Sequence, residues 1–134
     1  MLSADNLSDA GVYVQKLLEG WEEVFKKGQL TLWIMLALKD GPKYMPDIKQ
    51  FIQKATNGVL NADDQSMYRA LRRYHDAELV SFRQEPGNGP DRKTYALAPM
   101  GDKVLKKFLD RNIIDVFYKD ANRALIERNK NEDK

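Results

Sequence analysis

The 134-residue sequence contains no cysteine and a single histidine, His75. Disulfides, thiol nucleophiles, Cys-ligated zinc and multi-histidine metal sites are therefore excluded. It also lacks a long hydrophobic run. The most apolar stretch, Leu30 to Leu38 (LTLWIMLAL), spans roughly 14 Å as a helix, far short of a bilayer core. The N-terminal MLSADNLSDAG is acidic and polar, unlike a secretory signal, so a cytoplasmic chain that meets no membrane is expected. Nor does one sign of charge dominate. Lys and Arg number 22 against 20 Asp and Glu, a net +2, so only the placement of basic residues can point to nucleic acid. The carboxylates form no catalytic constellation, and Asp63-Asp64 reads as helix-start chemistry. The loop around Gly87 and Gly89 lacks the GK[ST] ending and following helix of a phosphate-binding loop. Neither an enzyme nor a cofactor is expected.

What is present suits one folded domain: hydrophobic residues make up 43% and charged residues 31%. Ser8 to Lys26 carries apolar residues at helical spacing (Ala10, Val14, Leu17, Leu18, Trp21, Val24, Phe25), with Asp5 or Ser8 as candidate caps. That stripe must dock on its own domain or on a second chain. Gln29 to Leu38 is apolar nearly all round, which predicts a central helix stopped by Gly41-Pro42. A third helix starts near Pro46, carries Ile48, Phe51, Ile52 and Ala55 as its apolar stripe, and ends at Asn57-Gly58. A fourth is capped by Asp63 and turns Met67, Ala70, Leu71 and Tyr74 inward.

Two short strands follow, Leu79 to Gln84 and Lys93 to Leu97, joined by the turn-rich EPGNGPDR. Pro99 to about Asn129 reads as one long amphipathic helix, which at roughly 30 residues would reach about 45 Å and needs a partner helix. The expected organisation is an N-terminal helix (1–28), a core domain (29–98), a C-terminal dimerisation helix (99–129) and a flexible tail (130–134). The predicted fold class is mainly α with a small β-hairpin.

Three short helices followed by a hairpin form the winged helix-turn-helix pattern. The third of that trio can present a polar face to a major groove, and the hairpin lies beside it. Gln65, Arg69, Arg72, Arg73 and Asp76 occupy that face, with Ser66 beside it and Tyr68 at the edge of the apolar face; the candidate contacts are Gln65, Ser66, Tyr68, Arg69, Arg72 and Arg73. Arg83, Arg92 and Lys93 are the wing cations. Guanidinium groups bind phosphate or the guanine edge in bidentate fashion, and Gln pairs with adenine. The expected partner is double-stranded DNA, bound by a homodimer. Its interface would use Leu105, Phe108, Leu109, Ile113, Val116 and Phe117, together with Leu17 and Trp21. The competing reading is a winged-helix protein-interaction module that does not bind DNA. His75 reads as a surface or structural residue. Trp21 and Trp33 read as packing residues, with an aromatic-ligand platform as the alternative.

From Gln29 to about Leu105 the chain resembles the PadR-type transcriptional regulators. The resemblance rests on QLTLWIMLALKDGPKYMPDI, SMYRALRRYHDAELV and GPDRKTYALAPMGDKVL, in that order. It places Ser66 and Tyr68 on the family's recognition helix, and Arg92, Lys93 and Tyr95 on its wing. It implies a homodimeric repressor, dimerised through the C-terminal helix and responsive to a small aromatic or cationic effector. Glu78 stands where the family usually has Gly after the recognition helix, Ala98 where it has a Thr cap, and Pro46 where it has an aromatic residue.

Overall fold

The computed structural model describes residues 4–87 and 92–132. The elements run α1 (Ala4–Lys26), α2 (Gln29–Asp40), β1 (Lys43–Tyr44), α3 (Met45–Ala55), α4 (Asp64–Asp76), β2 (Val80–Gln84), β3 (Lys93–Leu97) and α5 (Pro99–Leu109). A π-helical turn (Asp110–Ile114), a single turn α6 (Asp115–Phe117) and α7 (Asp120–Glu132) complete the chain. The fold class expected from sequence is the one observed, mainly helical with a small antiparallel sheet.

The core forms where α2, α3 and α4 meet. Ile34, Met35, Ala37 and Leu38 of α2 pack with Met45, Ile48 and Ile52 of α3 and with Met67, Ala70, Leu71 and Tyr74 of α4, and all are buried. Val80, Tyr95 and Leu105 close it from the sheet and α5. The three helices have distinct start and stop signals. Gly28 precedes α2 at φ 85°, a left-handed conformation that favours glycine. The Lys43 ammonium satisfies the far end of α2, donating to the Ala37 carbonyl and the Asp40 carboxylate, both at 2.8 Å. Pro46 lies in the first turn of α3, and Asn57 and Gly58 follow that helix at φ 54° and 77°.

The sheet differs from expectation. It has three strands, in the order β1-β3-β2, where the sequence suggested a two-stranded hairpin. Lys43 and Tyr44 pair with Tyr95 and Thr94. A two-residue strand has no periodicity of its own and exists only through its neighbour.

The C-terminal segment also departs from the expected single helix. The helix loosens into the π turn at Asp110–Ile114, where the Tyr118 amide reaches back to the Ile113 carbonyl at 3.4 Å, and stops before α7. At the N-terminus the helix begins at Ala4, so positions 5 and 8 lie within α1 and not ahead of it. The tail expected from residue 130 is helical as far as Glu132, and residues 133–134 lie outside the described residues.

α1 makes little contact with the core. Val14, Leu17, Trp21, Val24 and Phe25 all remain exposed, Trp21 at 75%. Of the two docking options left open by the sequence, packing onto its own domain is not the one adopted in the single chain.

Candidate nucleic-acid interface

The interface is built outward from α4. Its N-terminus is set by Asp63, whose carboxylate accepts a 2.7 Å hydrogen bond from the Ser66 amide. That bond holds the Asp63 carboxyl below its ordinary range. Asp64 in the first turn pairs with Lys49 of α3 at 2.7 Å, which ties the two helices of the helix-turn-helix together. At the inner face the Tyr74 hydroxyl meets the Thr31 hydroxyl at 2.6 Å, locking α4 against α2. With Met67, Ala70, Leu71 and Tyr74 committed inward, the helical period turns Gln65, Arg69, Arg72 and Arg73 to solvent.

The three arginines are chemically available. Among the described residues none of them forms an ion pair, although other surface cations do: Lys39 with Asp102, Arg83 with Glu85, and Arg123 with Glu127. Arg73 rests over the Tyr74 ring, 5.7 Å from its centroid, and keeps its donors. Ser66 is half-buried, and its amide is spent on the cap. Tyr68 is half-buried against the core.

The wing sorts its cations by face. Phe82 pairs with Tyr95 and Gln84 with Lys93, which places Phe82, Tyr95 and Lys93 on the side of the sheet toward α4. Arg83 pairs with Thr94 and lies on the other side. Its guanidinium donates to the Glu85 carboxylate at 2.9 and 3.2 Å, and Thr94 donates to the same oxygen at 3.0 Å. These bonds hold the Glu85 carboxyl below its ordinary range. Arg83 is thus neutralised locally and turned away from α4. Arg92 is exposed at the base of the loop, while residues 88–91 of the wing tip lie outside the described residues.

The residues assigned to a subunit interface divide similarly. Leu105 is buried in the core of its own domain and Leu109 packs against it, so neither offers a free face. Ile113 is half-buried. Phe108, Val116 and Phe117 are exposed by 41–46%, and Leu17 by 57%.

The profile of the transcriptional regulator PadR-like family matches residues 34–107, more than half of the chain. The chain belongs to the PadR-like family. A PadR-like transcription factor from Bacteroides fragilis is 27% identical, with a TM-score of 0.56 over 79% of this chain and 95% of that one. A transcriptional regulator from Clostridium thermocellum shares the fold at 18% identity, with a TM-score of 0.58 over 92% and 97% of the two chains. Bacillus subtilis PadR, solved in complex with operator DNA, matches at 24% identity and a TM-score of 0.54. That match covers 62% of this chain but only 48% of the Bacillus subtilis one. No curated protein matches this chain in sequence.

The PadR-like fold makes Glu78 informative. It follows α4 at φ 63°, a left-handed conformation that favours glycine. One residue beside α4, Phe82, has a role that its sequence position did not announce. His75 stacks on Phe82 with ring centroids 4.8 Å apart, and the Lys93 ammonium lies 4.4 Å from the same ring. A Phe at an alternating strand position reads as packing, so nothing in the sequence marked it. Among the described residues no helix is long and apolar enough to cross a membrane, and no cluster of His, Asp or Glu could hold a metal ion.

Proposed function

We propose that this PadR-like chain is a sequence-specific DNA-binding regulator that works as a homodimer and represses transcription until an effector releases it. The observation that carries the reading is the ridge of Arg69, Arg72 and Arg73 on the outer face of α4, exposed and, among the described residues, in no ion pair within 4 Å. Three exposed guanidinium groups on one helical face repel one another and are stabilised by an anionic partner. A recognition helix of 13 residues is long enough to present them along a major groove. Two such helices from a symmetric pair would enter successive grooves about 34 Å apart on a pseudo-palindromic site.

The uncovered apolar faces of α1 and of α6 support pairing, since Leu17, Trp21 and Phe117 expose large apolar area in the single chain. An effector site is supported by an apolar cavity of about 110 Å³ between α2 and α5, lined by Thr31, Leu32, Met35, Leu79, Val104 and Phe108. A ligand there would press on α2, which holds α4 through the Thr31–Tyr74 contact.

Fluorescence anisotropy with selected and mixed-sequence duplexes at low and moderate salt tests the reading. Arg69→Ala is expected to weaken the selected duplex by about 1–3 kcal/mol relative to mixed sequence. Equal, salt-insensitive failure to bind either duplex would favour the protein-interaction alternative.

A further inference from the structure

We propose that the cavity between α2 and α5 takes one uncharged aromatic ring and rejects aromatic acids and aromatic cations alike. This ligand class refines the proposed effector and rests on that reading for its regulatory consequence. The cavity has a volume of about 110 Å³. Leu32 and Met35 of α2 and Val104, Leu105 and Phe108 of α5 form its walls, and Leu79 joins them from the turn before β2. Among the described residues no charged side chain lines it.

Size selects a single ring. An apolar cavity of about 150 Å³ admits benzene, whereas pockets for drug-sized ligands run to about 300–1,000 Å³. Val104 and Phe108 are 49% and 44% exposed, so a small ring substituent has a way out on their side. Chemistry selects neutrality. Thr31 is the one polar side chain in the lining, and its hydroxyl is already engaged by the Tyr74 hydroxyl at 2.6 Å. The Leu79 amide donates to the Tyr74 carbonyl at 2.8 Å, and the Leu79 carbonyl accepts from the Ala98 amide at 3.0 Å, so the backbone there is committed too. A carboxylate or ammonium entering this lining gives up its water and meets no counter-charge; it stays outside or neutralises. A neutral ring avoids that penalty and fills a void that the fold otherwise carries at a cost. The Met35 thioether favours a ring over an alkyl chain of the same size, because sulfur packs well against aromatic edges.

Methyl NMR of the full-length chain, isotope-labelled at its five methionines, tests the assignment. Met35 lines the cavity, and Met45, buried in the core outside the lining, is the control. The probes are toluene, benzoate, benzylammonium and naphthol, with anisotropy of the selected duplex in parallel. Toluene is expected to move the Met35 methyl signal saturably and to leave Met45 in place, while benzoate and benzylammonium at the same concentration move neither. Val104→Phe, at a half-exposed position, should fill the cavity and abolish the toluene response with the circular dichroism unchanged. Phe108→Ala should widen it and admit naphthol, which the parent excludes. A Met35 signal that ignores toluene, or that responds to benzoate or benzylammonium as strongly, overturns the proposal, and the DNA-binding reading stands wherever the duplex still binds. A Met35 signal that moves on dilution alone gives the cavity to a second copy of the chain and also overturns it. A toluene response with duplex affinity unchanged supports the ligand site and overturns the effector reading.

Discussion

Replacing Gly101 by Ala inserts a methyl group into the join between α5 and the sheet. A Cβ at Gly101 would lie against the Leu79 carbonyl oxygen, well inside van der Waals contact, and 2.8 Å from the Leu79 carbonyl carbon. Both atoms are backbone, so no side-chain rotation relieves the overlap. Relief requires α5 to withdraw from the start of β2, which stretches the 3.0 Å bond from the Ala98 amide to the same Leu79 carbonyl. Ala in a helix is ordinarily worth about 1 kcal/mol over Gly. Overpacking costs about 1–3 kcal/mol and a weakened buried hydrogen bond about 1 kcal/mol. The net expectation is a loss of about 2 kcal/mol, or roughly 6–8 °C in Tm for a chain of this size. Urea denaturation followed by circular dichroism measures it, with Gly20→Ala as the control. Gly20 has open space around its Cβ position, so Ala there should stabilise α1 by about 0.5–1 kcal/mol. A Gly101→Ala protein as stable as the parent would show that α5 does not approach the strand so closely, and the packing described for Leu105 would fail with it.

Glu78→Gly should raise stability by about 0.5–1 kcal/mol, because it relieves a left-handed side chain at φ 63°; an unchanged urea midpoint would contradict that geometry. Paired Leu17→Ser and Trp21→Ser substitutions should shift sedimentation toward the monomer while the core stays folded, since neither side chain touches the buried cluster. The Asp63 carboxyl sits below its ordinary value in the folded chain, so its contribution is present above the unfolded value and is lost as pH falls through the folded one. Asp63→Asn keeps a capping oxygen at every pH. It should flatten the stability loss below about pH 4, read from urea midpoints across the acid range.

The helix-turn-helix was legible because its boundaries are chemical events in the chain. Pro46, Asn57-Gly58 and Asp63 each mark a terminus by a local mechanism, and the period of Met67, Ala70, Leu71 and Tyr74 determines which face of α4 is buried. β1 was not legible, because Lys43 and Tyr44 become a strand only when β3 arrives. The break after Phe117 was hidden by an apolar stripe that continues past it without Gly or Pro. The contact between His75 and Phe82 was hidden for another reason. His75 and Phe82 lie seven positions apart on different elements, and meet only because the turn at Glu78 folds β2 back beside α4. Arg83 looked equivalent to Lys93 by composition. Its strand parity and the nearby Glu85 make it different.

The interrupted C-terminal segment has a mechanical consequence. An unbroken helix is a shaft that carries torque from end to end, because every turn is bolted to the next by hydrogen bonds. Here the shaft is cut at Tyr118, and a side-chain strut from Asn122 to the Val116 carbonyl, 2.8 Å long, spans the gap. Twisting the outer rod therefore swings it about a joint without turning the inner one. A force applied beyond that joint would therefore meet the rest of the chain through the side chains of α5, where Gly101 seats the helix against the sheet.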